Sequence, residues 1–533
     1  MIESSCASLS NSEPTDRVQS RSVWHWILLA GVLSVAAFPP APFGGLAYFA
    51  LLPFIYSLFA EDFHFGFGKG YCYGLVLNAG ILYWLALNKG TTWYYGTISM
   101  LAGVTFLALN YGLIGMVVGF IGRRGGANAG LWSLPFVWTA VEYLRTFGTL
   151  GFTWNNLAYT QAYALPLVQS VAVVGTGGLS FWVVLINVVL FRWWQACRSG
   201  RSGTRWGIVV IGLFGIPVLY GWQTLQSETP SPRRQVAVSL IQPNVDPNAK
   251  WDRQAFFNNM QLLHDLTDSA CQQPRDLVVW PETATPTFLR RNHYQQLTLI
   301  NQHINRLGIH LLSGVPDYAP NGDNYRIYNA AFLLRPGTTT IEDYRKLRLV
   351  PFGEYIPLSG YFPELKRLNL GQGNFDAGDS MRVFKVPLRI DHRSAIDTTL
   401  TLSVVICYES TFPELVREAT RRGAELLVVV SNDAWFGYTS APFLHAAIAR
   451  FRAVENRIPV VRAANTGISL IYDQYGRTLQ RLGFAEQGYL AATVEQGTPH
   501  TLYTRWGNWW AVLCVIVSGG WLGWAVFRKG TYV

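Results

Sequence analysis

The apolar residues of this 533-residue chain are concentrated in two blocks, and that distribution decides what it can fold into. A helix crosses a hydrocarbon layer in about 20 residues. Runs of roughly that length lie near residues 22–38, 43–60, 68–88, 95–121, 130–148, 165–191, 205–222 and 508–527. Between the last two runs lies a polar stretch of roughly 280 residues, long enough to bury a core of its own. The chain is 50% hydrophobic and only 14% charged, whereas soluble domains carry about 25% charged residues. The first two runs are short, and Pro39-Pro40 between them marks a tight turn or a re-entrant feature. Because apolar segments continue beyond the first run, it reads as an uncleaved anchor rather than a removed leader.

Charge gives the orientation. Arg17 and Arg21, Arg123 and Arg124, Arg198, Arg201 and Arg205, and Arg528 and Lys529 all flank apolar runs. With about eight spans they fall on one side, the cytoplasmic one by the positive-inside rule. The expected organisation is therefore a tail over 1–21, a seven-span domain over 22–225, and a periplasmic catalytic domain over 226–505. A last span and short tail would occupy 506–533. In a bacterium this is an inner-membrane protein. The net charge of +10 is spent in these loops and forms no basic, aromatic-interleaved face, so nucleic acid is not an expected partner. The six cysteines have neither disulfide-framework nor metal-ligand spacing, and no metal is expected.

Within the polar stretch, β-branched runs alternate with helical periodicity. Strands are expected at 236–241, 277–280, 310–315, 328–334, 402–406, 426–430, 459–462 and 468–472. Helices are expected at 251–266, 293–307, 413–422 and 442–454. The alternation predicts an α/β sheet covered by helices. Residues 350–391, rich in Gly, Pro and aromatics, read as long loops.

Three strand-end groups carry chemistry. Glu282 follows Val278-Val279-Trp280-Pro281, where desolvation raises a carboxylate's proton affinity and suits it to be a general base; a turn glutamate is the plainer reading. Lys346 sits in Tyr344-Arg345-Lys346-Leu347-Arg348 and alone reads as a solvated lysine. The sequel Val350-Pro351-Phe352-Gly353-Glu354-Tyr355-Ile356-Pro357 is constrained by two prolines and a glycine. It holds Lys346 and Glu354 on a shaped loop, where an ammonium stabilises a thiolate or an oxyanion. Cys407 ends Leu402–Ile406 and precedes Tyr408-Glu409-Ser410, with Pro413 opening a helix. A lone cysteine is usually a small hydrophobe, but a strand-to-helix elbow exposes the thiol near a helix N-terminus and lowers its pKa. Carboxylate, amine and thiol together are the minimum set for acyl transfer through a thioester. His445 shows no partner and reads as structural. Asn432–Gly437 follows a strand and lines the same mouth, and Asn465-Thr466-Gly467 reads as a turn. Trp251 reads as a lid or lipid-facing aromatic and equally well as a core aromatic.

In type, order and context, Glu282, Lys346 and Cys407 resemble the Glu-Lys-Cys set of the nitrilase superfamily. Nearly the whole chain resembles that superfamily's membrane branch, the apolipoprotein N-acyltransferase family. The resemblance is carried by Val350–Pro357, Cys407-Tyr408-Glu409, Ser431–Gly437 and Arg462–Ser469. In the membrane part it is carried by Glu142-Tyr143-Leu144-Arg145, Gly151–Gln161 and Gly175–Asn187. It implies an α-helical polytopic membrane domain plus an α/β nitrilase-like αββα sandwich. It also implies acyl transfer from a phospholipid, through Cys407, to the N-terminal amine of a diacylglyceryl-cysteine apolipoprotein. Glu354, Tyr408 and Glu409 are implied as neighbours of the site and Trp251 as a substrate contact, with no cofactor. The protein is expected to be a monomer. Thr153 stands where the family typically has proline. Arg145, near the same face, is expected to hold a headgroup phosphate.

Two other functions fit parts of the pattern. A membrane-tethered amidase would use the same three residues with water as acceptor, but one span suffices for a tether. A non-catalytic lipid-binding scaffold would not need all three chemical types.

Overall fold

The computed structural model describes residues 15–60, 63–227, 234–249, 252–290, 294–322, 324–357, 364, 374–388, 399–498 and 500–528. Each expected apolar run is largely helical, and among the described residues five helices are long and apolar enough to cross a membrane. These are Gly66–Leu87, Trp93–Gly125, Val171–Arg198, Thr204–Gln226 and Trp509–Phe527. Val23–Ala36 and Gly44–Phe59 are shorter apolar helices. Ala127–Leu144 is helical but not among the five, since Asn128 and Glu142 lower its hydropathy. The Pro39-Pro40 break is a turn containing a cis peptide bond.

The Gly66–Leu82 and Trp93–Gly125 helices touch through glycine. A Cβ on Gly70 would lie 2.0 Å from the Tyr111 carbonyl oxygen, and one on Gly115 would lie 2.0 Å from that of Gly66. Lipid tails are as apolar as leucine, so such helices associate by close backbone packing rather than by hydrophobic exclusion. The Val171–Arg198 helix is broken at Gly175, where φ is +67°.

The polar stretch forms two six-stranded sheets. In chain order the strands are β1 Gln235–Gln242, β2 Leu277–Trp280, β3 His310–Asn321, β4 Asn324–Leu334, β5 Ile341–Arg345 and β6 Phe384–Pro387. They continue as β7 Thr399–Ile406, β8 Leu426–Ser431, β9 Val460–Ala464, β10 Ser469–Tyr472, β11 Thr478–Leu482 and β12 Gly488–Glu495. One sheet runs β12-β1-β2-β3-β4-β5 and the other β11-β10-β9-β8-β7-β6. The parallel pairs β1-β2-β3 and β7-β8-β9 lie at their centres, and β2 and β8 are buried along their whole length, as strands covered on both faces must be.

Alternation along β2 shows the layering. Leu277 and Val279 join a core shared with Val404, Ile406, Val428 and Val461 of the other sheet. Val278 and Trp280 face outward onto Phe256, Leu263, Ile300 and Ile304 of the helices Arg253–Ala270 and Tyr294–Leu307. The second sheet carries Pro413–Arg421 and Ser440–Asn456. The result is the expected αββα sandwich. Caps set the helix starts: Asp252 accepts from the Gln254 and Ala255 amides, Thr439 accepts from Ala441, and Pro413 opens its helix.

The Ser440–Asn456 helix joins the two halves of the molecule. Ala446, Ala449 and Ala453 pack on the sheet, while Leu444, Ile448, Phe451 and Val454 pack with membrane-helix residues such as Tyr159 and Val183. At its end Glu455 accepts the Thr176 amide at 3.2 Å and the Thr176 hydroxyl, and pairs with Arg452 at 3.1 Å. Arg452 donates to the Thr176 hydroxyl at 3.0 Å and to the Thr411 carbonyl at 3.3 Å.

The structure departs from the sequence expectation inside 350–391, where β6 interrupts the expected loops by pairing with β7. Replacing Gly70 or Gly115 with valine should cost about 1–3 kcal/mol each through overpacking, read as a lowered thermal midpoint in detergent. Gly519→Ala, whose Cβ meets nothing within 4 Å, should leave that midpoint unchanged.

Candidate active site

Glu282, Lys346 and Cys407 each lie just past a strand, at the ends of β2, β5 and β7. Glu282 reaches its place because Gly314 on β3 lacks a side chain: a Cβ there would lie 2.6 Å from the Glu282 Cα. Lys346 Nζ is 2.8 Å from Glu354 Oε1 and 3.5 Å from Glu282 Oε1. Asn329 Nδ2, on β4, donates to Glu282 Oε1 at 2.7 Å and to Glu354 Oε1 at 2.9 Å. The Val350 amide donates to Glu354 Oε2 at 2.9 Å. All four side chains are buried. Two carboxyl groups thus share one amine.

Burial works against the Lys346 charge, but Glu354, Glu282 and Cys407 outweigh it and hold the amine's pKa above its ordinary value. Cys407 is close enough to feel both Glu282 and Lys346. Burial, then the Glu282 charge, pushes the thiol's pKa up, and Lys346 only partly offsets this. The sequence expectation of a lowered thiol pKa is therefore corrected. Cys407 opens a short 3₁₀ turn, Cys407–Thr411, rather than an α-helix, so it gains no macrodipole and rests as a thiol.

The turn is held from both sides. Cys407 has φ of +52°, a conformation costing on the order of 1–3 kcal/mol for a residue with a side chain. Its carbonyl accepts from Ser410 Oγ at 2.8 Å and lies 3.1 Å from His445 Nε2. A carbonyl only accepts, so that nitrogen carries a proton. His445 Nδ1 lies 3.0 Å from Asp433 Oδ1 and 3.1 Å from Arg462 Nη2, and Arg462 pairs with Asp433 at 2.6 Å. Burial raises the Asp433 pKa, but Arg462 and His445 outweigh it and keep the carboxyl below the usual carboxylate range. Donor atoms of Cys407, Asp433 and His445 lie within 4.8 Å of one another. The Arg462 charge and the occupied His445 nitrogens make this a hydrogen-bonded support rather than a good cation cradle. His445, expected to lack partners, is buried among them. Asn465 is also more than a turn residue: it bonds Val245 and Asn432.

Glu409 ties the segment that carries Lys346 to the strand that ends at Cys407. Its Oε1 accepts from the Tyr344 hydroxyl at 2.8 Å and from the Leu347 and Arg348 amides at 2.6 and 3.1 Å. Its Oε2 accepts from the Ile406 amide at 2.8 Å. Tyr408 donates to the Gly151 carbonyl at 2.8 Å, and Thr153 donates to Thr411 at 2.8 Å, a bond that proline could not make. The turn after Cys407 is thus fastened to a membrane-domain loop. A cavity of about 100 Å³ opens beside it, lined by Glu142, Asn156, Thr176, Arg348, Phe412 and Glu414 among others. Arg145 is buried nearby, donating to Asn156 at 2.7 Å and to the Tyr111 hydroxyl at 3.3 Å, and its Nε has no partner among the described residues. Trp251 lies outside the described residues. Sequence reasoning missed Asn329, although an asparagine inside the apolar strand Tyr328–Leu334 was a visible signal.

The fold and these strand-end groups define a carbon–nitrogen-hydrolase type of sandwich set on a unit of apolar membrane helices. The family described as Carbon-nitrogen hydrolase matches residues 236–500, and the Apolipoprotein N-acyltransferase N-terminal domain matches residues 30–189. The chain is 34% identical over 498 residues to the apolipoprotein N-acyltransferase of Geobacter metallireducens, covering 92% of each chain. It is 32% identical over 516 residues to that of Chlorobaculum tepidum, covering 92% of this chain and 94% of the other. Saccharomyces cerevisiae Nit3, of the nitrilase superfamily, aligns with a TM-score of 0.37 at 19% identity over 51% of this chain and 93% of its own. The chain belongs to the apolipoprotein N-acyltransferase family.

The charges on Cys407 predict opposite effects on two reactions of Glu282→Gln. Removing a like charge lowers the thiol's pKa, so alkylation of Cys407 at neutral pH should quicken. In the wild type its rate should still be rising at pH 9. If Glu282 is the base, acyl transfer by the same variant should fall about 10²–10⁴-fold.

Proposed function

We propose that this protein transfers a fatty acyl chain from a phospholipid to the N-terminal amine of a diacylglyceryl-cysteine apolipoprotein through a Cys407 thioester. The observation that carries the reading is the buried Glu282–Lys346–Glu354 cluster beside Cys407, in a turn tied to membrane helices. Glu282 takes the thiol proton as sulfur attacks the ester carbonyl, and Lys346 stabilises the resulting oxyanion. Collapse breaks the ester C–O bond, and the lysophospholipid oxygen leaves with the proton held by Glu282. The acceptor amine then attacks the thioester, gives its proton to Glu282, and the sulfur leaves to recover it as thiol. Glu354 fixes the lysine, and Glu409 fixes the spacing between lysine and sulfur. Tyr408 anchors the turn to the membrane loop, and Trp251 is assigned to substrate contact.

In this reading the protein is a monomer in a bacterial inner membrane, with the sandwich on the periplasmic side. Bringing a two-chain lipid into water would cost about 0.8 kcal/mol per CH₂, well over 10 kcal/mol in all. A sulfur held near the membrane surface lets the acyl tails remain in lipid. Arg145 is assigned to the headgroup phosphate.

The decisive test is the mass of the Cys407 peptide after purified protein meets phospholipid without acceptor. A hydroxylamine-labile acyl adduct, absent in Cys407→Ser, is expected. Released lysophospholipid without an adduct would favour the amidase-like hydrolase, and neither product would favour a scaffold. Arg145→Ala should raise the KM for phospholipid about fivefold with kcat little changed; an unchanged KM would remove the headgroup role.

A further inference from the structure

A second apolar feature lies at the far end of the membrane unit from Cys407. The Ala127–Leu144 helix has Glu142 at its catalytic end and Asn128 at the other, about 21 Å away along the axis. The Trp509–Phe527 helix runs beside it, and the two leave an open groove of about 630 Å³ at this far end. Trp132, Trp521 and Trp524 line the groove. Its floor is open at Gly520, where a Cβ would meet nothing within 4 Å.

Four arginines are tied to this groove through its lining. Arg528 lies over the Trp524 ring at 4.8 Å, and Arg124 donates to the Arg528 carbonyl at 3.2 Å. Arg192 donates to Asn128, and its Nε has no partner among the described residues. Arg205 lies over Trp206, which stacks on Trp132, and is close enough to Arg192 for their like charges to repel. Among the described residues lining the groove no acidic side chain faces these cations, and an apolar slot so rimmed suits both alkyl chains and an anion. Tryptophans at such a level prefer the headgroup boundary, and basic pockets between membrane helices recognise anionic headgroups.

We propose that this groove binds an anionic two-chain phospholipid of the bilayer as a resident lipid, separate from the acyl donor consumed at Cys407. The acyl chains lie against the tryptophans over Gly520, and the phosphate meets Arg124, Arg192 and Arg528. The proposal does not depend on the acyl-transfer reading.

The test reconstitutes the full-length protein in nanodiscs of equal parts phosphatidylglycerol and phosphatidylcholine and counts retained lipids by native mass spectrometry. Wild type should retain phosphatidylglycerol about tenfold over phosphatidylcholine, as two or more arginines near a phosphate imply. Arg124→Gln/Arg528→Gln should reduce that preference about tenfold. Gly520→Leu, whose Cβ meets nothing within 4 Å and whose side chain projects into the groove, should abolish the retention at an unchanged thermal midpoint. Lipid held at the Cys407 site is common to all three proteins and cancels. Equal retention of the two lipids by wild type, or an undiminished preference in the arginine variant, would overturn the proposal. So would full phosphatidylglycerol retention by a folded Gly520→Leu protein. Should Gly520→Leu fail to fold, the arginine variant decides.

Discussion

The structure depends on one helix that has no solvent face. Ser440–Asn456 is sandwiched between the second sheet and the membrane helices, and two of the charges near its end, Arg452 and Glu455, are fully buried. A buried pair of this kind gains little net stability, because desolvating both ions offsets most of their attraction, yet removing one partner is costly. Its value here is geometric. Glu455 occupies the free amide end created where the Val171–Arg198 helix breaks at Gly175. Arg452 reaches the Thr411 carbonyl in the turn that begins with Cys407. A membrane helix and the Cys407 turn are thereby referenced to the same two side chains.

The site itself follows from scarcity of water. Glu282, Lys346 and Glu354 are all buried, so each charge is set by its neighbours rather than by solvent. In such a place burial and the Glu282 charge favour the neutral thiol of Cys407, and Lys346 only partly offsets them.

Much of this was legible in the sequence, for a physical reason. Strands buried on both faces are continuous apolar runs, and Val278–Trp280, Leu402–Ile406 and Leu426–Val430 mark themselves; the chemistry at their ends is then found by position. The strands that were missed lie at or beside sheet edges. β5 (Ile341–Arg345) is largely polar and half-buried, β11 (Thr478–Leu482) is largely polar and exposed, and the β6 strand Phe384–Pro387 is four residues long within a loop-like composition. The supporting residues were obscure because their contacts are remote in sequence: Asn329 meets Glu282 across 47 positions, and His445 meets Cys407 across 38. Length and hydropathy single out five of the apolar runs among the described residues, because the others are shorter or carry polar residues such as Asn128 and Glu142. The thiol's pKa was misjudged because Pro413 announces a helix that starts beyond the turn, not at the cysteine.

The first and last strands of the sandwich pair antiparallel, with Gln235 directly opposite Glu495. The sandwich therefore begins and ends on two adjacent strands of one sheet, about one interstrand spacing apart. In chain order it is an insertion between the Thr204–Gln226 and Trp509–Phe527 helices of a helical protein. An insertion whose two ends lie side by side asks little rebuilding of its host. The fastening of the Cys407 turn to the Gly151 and Thr153 loop then marks where host and guest have since become a single working part.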